Sequence, residues 1–174
     1  MVHLQDISTL PPADLEKSDV ADKTKHLLQE LEELQNVMFA EGKHSLLIVF
    51  QGMDASGKDG AIREIFSGIN PMGCKVKSFK KPTEEEMRHD FLWRVHMHAP
   101  EKGMIQIFNR SHYEDVVIQR IHKWVDMDTV RWRYNQINAF ENLITGNGTL
   151  VLKFFLHISP QEQLERLNER MHDK

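Results

Sequence analysis

Only one cysteine, Cys74, occurs in 174 residues. That excludes an internal disulfide framework and fits a reducing compartment. The N-terminus, Met1-Val2-His3-Leu4-Gln5-Asp6, lacks a basic region followed by a long apolar run. No stretch approaches the ~18 consecutive apolar residues of a membrane span. The expectation is a cytoplasmic protein without a leader or a membrane partner. Positive charge is not in excess either: 22 Lys and Arg stand against 26 Asp and Glu, for a net charge of −4. No global basic field exists to recruit nucleic acid, so any phosphate site must be a local basic patch on an acidic background. Internal repeats, low-complexity segments and composition shifts are missing too. With 40% hydrophobic and 28% charged residues, the chain reads as one globular unit with a real core.

Residues 1–12 read as an extended arm ending at Pro11-Pro12. Asp14 to Glu41 reads as one helix, with Leu27, Leu31, Leu34 and Met38 on one face, Leu28 and Val37 beside it, and Gly42 as its stop. Arm and helix form residues 1–41; residues 42–174 form the domain that carries the chemistry. Strands are expected at Leu46–Gln51, Cys74–Phe79, Met104–Phe108 and Thr149–Leu156, the last as a buried strand. Helices are expected from the segment after Gly57 to about Ile69, from Thr83 to about His98, from Tyr113 to Ile121, from Asp128 to Thr145 and from Pro160 to Met171. The Thr83–Glu86 spacing is that of a capping box. Strands alternating with helices predict an α/β fold: a central parallel sheet with helices on both faces, in three layers. Ligands in such folds bind beyond the carboxyl ends of the strands.

The segment Gly52-Met53-Asp54-Ala55-Ser56-Gly57-Lys58-Asp59-Gly60 is the most informative in the chain. It follows a strand and precedes a helix, and Gly52, Gly57 and Lys58 meet the spacing G-x-x-x-x-G-K of a P-loop. Glycines let the backbone curl so that several N–H groups point inward, and the helix N-terminus adds partial positive charge. Lys58 supplies a full charge for terminal phosphates. The candidate phosphate-binding set is Gly52, Ala55, Ser56, Gly57, Lys58, Asp59 and Gly60. The usual Ser or Thr after the lysine is Asp59, which argues against a conventional GTPase. A second acid, Asp54, lies inside the loop. A carboxylate facing phosphates makes sense when a hard cation lies between them, so Asp54 reads as a metal ligand or as the group that orients the attacking oxygen. A plain glycine loop capping a helix is the bland alternative, and the flanking strand and helix weigh against it.

A second polar cluster, Asn109-Arg110-Ser111-His112-Tyr113-Glu114, follows a strand. P-loop enzymes commonly place a magnesium-holding acid at the end of a neighbouring strand. Here that place holds Asn109, with Arg110 beside it to stabilise charge in transfer. Asn109 is equally at home starting a turn or capping a helix.

Four blocks occur in order: Gly52–Gly60, Lys80-Lys81-Pro82-Thr83, Asp90-Phe91-Leu92-Trp93-Arg94 and Phe108-Asn109-Arg110-Ser111-His112-Tyr113-Glu114-Asp115-Val116. Together they closely resemble the family-2 polyphosphate kinases, from about Leu46 onward, and look most like the class III branch. The resemblance implies a P-loop kinase-like fold and a magnesium-dependent reaction, with manganese as a substitute ion. In that reaction inorganic polyphosphate gives its terminal phosphoryl group to nucleoside mono- or diphosphates (AMP, ADP, GMP or GDP). It implies Asp54 as a metal and acceptor-orienting carboxylate, Lys58 and the loop amides as holders of acceptor phosphate, and Arg110 as the contact to the transferring phosphoryl. Lys80 and Lys81 would lie near the phosphate path, with Arg63 and Arg94 as further candidates. Relatives of this kind assemble as dimers or tetramers, so a homo-oligomer is expected.

The sequence departs from the family pattern at position 109, where aspartate is expected and an amide stands. Asn109 is nearly isosteric but uncharged and a poorer magnesium ligand, so weak activity recoverable by Asn109→Asp is expected. The resemblance also implies a mobile lid and a further basic helix beyond Lys174: a chain that ended there would bind phosphates and barely react, and a fragment would belong to an intact enzyme that carries the lid. Two other readings share these features: an ATP-dependent small-molecule kinase, and a phosphate-binding module without turnover.

The remaining candidates read as structural. His89 and His96, with His98 nearby, show no third metal ligand at a telling spacing. Phe91 and Trp93 could stack a base but more simply pack core, as do Trp124, Trp132 and Tyr134. Cys74 reads as a small buried hydrophobe, and Arg131 and Arg133 as exposed.

Overall fold

The computed structural model describes residues 3–13, 15–121 and 125–172. Asp14, the expected helix start, and Trp124 lie outside the described residues. Four strands form one parallel sheet: β1 (Ser45–Gly52), β2 (Cys74–Ser78), β3 (Ile105–Asn109) and β4 (Thr149–Leu156), in the order β2-β3-β1-β4. Among the described residues six α-helices accompany them: α1 (Lys17–Glu41), α2 (Lys58–Phe66), α3 (Trp93–His96), α4 (Glu114–Ile121), α5 (Met127–Gly146) and α6 (Pro160–His172).

Alternation along β1 builds two cores. Leu47 and Val49 face one side, where Phe108, Val95, Val116, Ile137 and Phe140 pack from β3, α3, α4 and α5. Ile48 and Phe50 face the other, against Ile62 of α2 and Leu31 and Met38 of α1. Burial on both faces explains why Leu46–Phe50 of β1 reads as a continuous apolar run. The result is the expected three-layer arrangement. From β1 the chain passes through α2 to β2; from β3 it passes through α4 and α5 to β4. The two excursions go to opposite sides of the β1–β3 pair, which creates a crevice at the carboxyl ends of those strands.

Three expectations are corrected. First, Thr83 to His98 is not one helix. The capping box forms, with Thr83 N donating to Glu86 Oε2 (2.8 Å) and Glu86 N to Thr83 Oγ1 (3.2 Å). It supports only a 3-10 turn, Glu86–Arg88, because His89 is extended and Asp90 Oδ1 accepts from Leu92 N (3.0 Å), restarting the chain. Second, β4 is not buried. It is an edge strand, with Leu150, Phe154 and Phe155 all exposed. Third, the α1 face that carries Leu27, Leu31, Leu34 and Met38 covers the sheet only in part: Leu31 and Met38 pack on the core, Leu27 and Leu34 are exposed, and buried Gln35 packs over Gly73, where any side chain would collide. The expected arm contains a 3-10 turn at Leu4–Asp6, and α2 stops at Phe66, short of Ile69. No helix is long and apolar enough to cross a membrane among the described residues.

Candidate active site

After Gly52 the chain turns through Met53–Gly57 into α2. A Cβ on Gly52 would lie 2.6 Å from Ser56 Oγ and 2.8 Å from the Leu156 carbonyl oxygen, so the turn against β4 requires glycine. Gly57 sits at φ 90°, and Ala55 at φ 61°. The left-handed region costs a non-glycine residue about 1–2 kcal/mol, and such strain gathers at functional sites. Lys58 folds back on the loop. Its Nζ donates to the carbonyls of Gly52 (2.9 Å) and Met53 (2.8 Å) and to Ser56 Oγ (3.1 Å). Burial, then the charge of Arg110, push this ammonium below its ordinary pKa, against the opposite pull of Asp54, Glu114 and Asp59. An incoming polyanion would offset that push.

The neighbouring strand ends complete the site. Parallel pairing sets Asn109 opposite Phe50 on one side and Ser78 on the other. Arg110, also left-handed at φ 60°, donates its N–H to the Phe50 carbonyl (3.0 Å) and its Nη2 to Asp54 Oδ1 (2.8 Å). The Asn109 amide donates to the Asp59 carboxylate. The cleft between these ends has a volume of about 460 Å³ and is lined by Asp54–Gly60, Ser78, Phe79, Lys80, Lys81, Asn109, Arg110 and Arg170. Five cationic side chains (Lys58, Lys80, Lys81, Arg110, Arg170) face two carboxylates (Asp54, Asp59) there. On a chain of net charge −4, this is the local basic patch that a phosphate site needs.

The residue set suits a phosphate-bridged metal rather than an all-protein one. Among the described residues, no group of three or more His, Cys, Asp or Glu side chains could hold an ion. Magnesium uses one or two carboxylates plus phosphate oxygens and water, and Asp54 and Asp59 can supply the two. Asn109 is a poorer ligand than either, because its amide oxygen carries no full charge and its Nδ2 donates to Asp59. An aspartate there would set two acids against each other and so strengthen the demand for a cation.

Three expected contacts lie outside the cleft lining: Gly52, whose part is to clear the turn against β4, Arg94 and Arg63. Arg94 is 4% exposed and sits beneath the cleft wall. It donates to the Lys80 carbonyl (2.9 Å), pairs with Asp115 (2.9 Å) and stacks over Phe79 at 5.3 Å. It braces the Lys80-Lys81 turn instead of reaching a ligand. Arg63 is exposed on α2 and does not line the cleft. Arg133 was expected to be exposed, but it donates to the Asp115 carbonyl (2.6 Å) and lies over Phe91. Sequence reasoning missed Ser78, Phe79 and Arg170 in the lining, and Gln163 and Arg166 behind the loop. The available signal was Arg166 and Arg170, one turn apart on the helix that leaves β4.

Behind Arg110 lies a polar network. Fully buried His112 Nε2 is 3.3 Å from Glu141 Oε1, which also accepts from Tyr113 Oη (2.9 Å); Lys153 Nζ reaches Glu141 Oε2 (2.7 Å) and Tyr113 Oη (3.1 Å). Burial pushes the Glu141 carboxyl up, but the hydrogen bonds from His112, Lys153 and Tyr113 outweigh it and hold the pKa at about 2. This network anchors the segment that carries Arg110.

A glycine loop, its lysine and a facing arginine thus meet at the switch point of a parallel sheet. The family model for polyphosphate kinase 2 matches residues 14–174. The chain belongs to the polyphosphate kinase 2 family. It is 52% identical over 145 residues to the AMP/ADP-polyphosphate phosphotransferase of Meiothermus ruber, covering 83% of this chain and 54% of that protein. It is 44% identical over 156 residues to the ADP-polyphosphate phosphotransferase of Rhodopseudomonas palustris, again covering 83% and 54%. The crystal structure of polyphosphate kinase 2 from Arthrobacter aurescens TC1 matches with a TM-score of 0.91 at 40% identity, over 99% of this chain and 61% of that one. The chain thus spans about half the length of the curated relatives it matches.

Proposed function

We propose that this chain carries the catalytic core of a polyphosphate-dependent nucleotide kinase, which moves the terminal phosphoryl group of inorganic polyphosphate onto a nucleoside mono- or diphosphate. The observation that carries the reading is the cleft itself: five cations gathered around a P-loop where three parallel strands end. The 52% identity to a protein named for both AMP and ADP supports a class III-like acceptor range.

In this reading Lys58 leaves the Gly52 and Met53 carbonyls to bind phosphate oxygen, and the amides of Ala55–Gly60 hold the rest of the group. Arg110 releases Asp54 and stabilises charge on the transferring phosphoryl. Lys80 and Lys81 track the polyphosphate chain. Asp54, freed from Arg110, orients the acceptor oxygen. Asp54 and Asp59 would hold magnesium, with manganese as a substitute, and the ion would supply neutralisation of phosphate charge. Transfer needs no phosphoenzyme, because it relies on positioning and electrostatic stabilisation. The reading extends to a cytoplasmic homo-oligomer that binds neither nucleic acid nor membrane; the outward apolar residues Val20, Leu27, Leu34 and Val37 of α1 support self-association.

One observation favours a second reading, phosphate binding without turnover: Asn109 answers Asp59 with a hydrogen bond where a metal would otherwise sit. The test is incubation with ADP or AMP, magnesium and long-chain polyphosphate, with no added nucleoside triphosphate. ATP or ADP should form in proportion to polyphosphate. Transfer driven only by a nucleoside triphosphate would point to an ATP-dependent kinase, and polyphosphate binding without product to the binding module.

A further inference from the structure

Helix α6 has no buried residue, and three of its apolar side chains, Leu164, Leu167 and Met171, are exposed. Its hydrogen bonds to the phosphate loop are therefore the notable part of its attachment. Gln163 Nε2 donates to the Asp54 carbonyl (2.9 Å), and Arg166 Nη1 to the Ala55 carbonyl (3.2 Å). Arg166 is aimed by Glu162, whose Oε1 accepts from its Nε (2.7 Å). Glu162 is fixed in turn where its N–H meets Ser159 Oγ (3.1 Å). Arg166 also lies so close to the loop that a Cβ on Gly57 would be 3.1 Å from its Nη1.

Together with the two carbonyls that Lys58 engages, these bonds occupy all four carbonyls from Gly52 to Ala55. A carbonyl oxygen turned toward a phosphate would repel it, and Ala55 adopts a strained left-handed conformation that its surroundings must hold in place. Lys58 is a temporary holder, since its charge is wanted by the phosphate. Gln163 and Arg166 are not: neither lines the cleft, and both approach the loop from α6.

We propose that Gln163 and Arg166 are positioning residues of the phosphate loop, fixing the Asp54–Ala55 carbonyls toward α6 so that the loop amides are held ready for an anion. The proposal rests on the cleft being a phosphate site. It also makes the seating of α6, and with it Arg170, depend on the same loop.

The test combines amide hydrogen exchange of Ala55–Gly60 in the free protein with calorimetric binding of magnesium tripolyphosphate, in Gln163→Ala, Arg166→Ala, Arg166→Lys and Arg170→Ala. Arg166→Ala should speed exchange in the loop and weaken binding about 10-fold, and Gln163→Ala should do the same to a smaller extent. Arg166→Lys should recover part of both effects. Arg170→Ala, which removes a group that lines the cleft, should weaken binding while leaving loop exchange unchanged. Loop exchange equal to wild type in both Gln163→Ala and Arg166→Ala would overturn the proposal, as would faster exchange with unaltered affinity. Failure of the wild-type protein to bind tripolyphosphate would instead sink the phosphate reading of the cleft, while the exchange data would still decide whether α6 positions the loop.

Discussion

The two loops that meet in the cleft solve one problem in opposite ways. Each turns a strand end into a helix through a non-glycine residue in the left-handed region, Ala55 at φ 61° and Arg110 at φ 60°. The loop after β1 takes its turn from its own residues, with α6 bracing it from behind: Gly52 clears Ser56 and Leu156, Gly57 takes a positive φ, Lys58 ties down Gly52 and Met53, and Gln163 and Arg166 hold the Asp54 and Ala55 carbonyls. The turn after β3 is held from a distance, by Glu141 of α5 and Lys153 of β4 acting on His112 and Tyr113. The first loop can release Lys58 to a ligand while its backbone stays braced. The second is a rigid mount, suited to presenting Arg110 at a fixed point.

The sharpest break in this comparison is Arg110→Ala. It removes a charge from the rigid side while leaving the mount intact, and should lower polyphosphate-dependent kcat by about 10²–10³-fold with little change in the thermal midpoint. Comparable loss from a failure to fold would show as a falling midpoint instead. A smaller effect of opposite sign is expected at the neighbouring position. Asn109→Asp should raise turnover about 10-fold or more and tighten the magnesium requirement, because the Asn109–Asp59 hydrogen bond gives way to two acids that need a cation.

The mount itself is tested by pH. Glu141 titrates at about 2 in the folded protein, below an ordinary carboxylate. A depressed pKa means that its stabilisation is fully present above the ordinary carboxylate range and is lost as pH falls toward 2. That contribution is about 3 kcal/mol. Acid denaturation of wild type should therefore show a loss of stability across this window. Glu141→Gln should be less stable at neutral pH and should flatten the same part of the curve. The smallest effect is expected at Ala55→Gly. Relief of left-handed strain and added chain entropy nearly cancel there, so stability measured by denaturant should move by no more than about 1 kcal/mol.

This contrast also explains what could be read from the sequence. The loop after β1 was legible because its determinants lie within seven consecutive residues and follow a spacing with one physical meaning. Asn109 and Arg110 were legible as a site because they end a strand beside it. Glu141 and Lys153 were not, since nothing local links them to Tyr113, 28 and 40 positions away. Arg94 was misplaced for a similar reason: a charged residue in a familiar block gives no sign that Asp115 and the Lys80 carbonyl will bury it. The apolar run of β4 promised burial, but composition does not distinguish an edge from a central strand. Leu27 and Leu34 fit the period of α1 but not its inner face, which Leu31, Gln35 and Met38 form. The helix expected from Thr83 failed at Asp90, whose side chain offered Leu92 a local hydrogen bond that competed with helix continuation.

On the proposed reading this cleft is a polyphosphate transfer site with Asn109 where the family resemblance implies an aspartate. The most direct test of that reading is a magnesium titration of ATP formation from ADP and long-chain polyphosphate, run side by side on this protein and on Asn109→Asp. The account predicts polyphosphate-dependent product in both, faster in the aspartate form at saturating magnesium. An aspartate form that turns over no faster would contradict it.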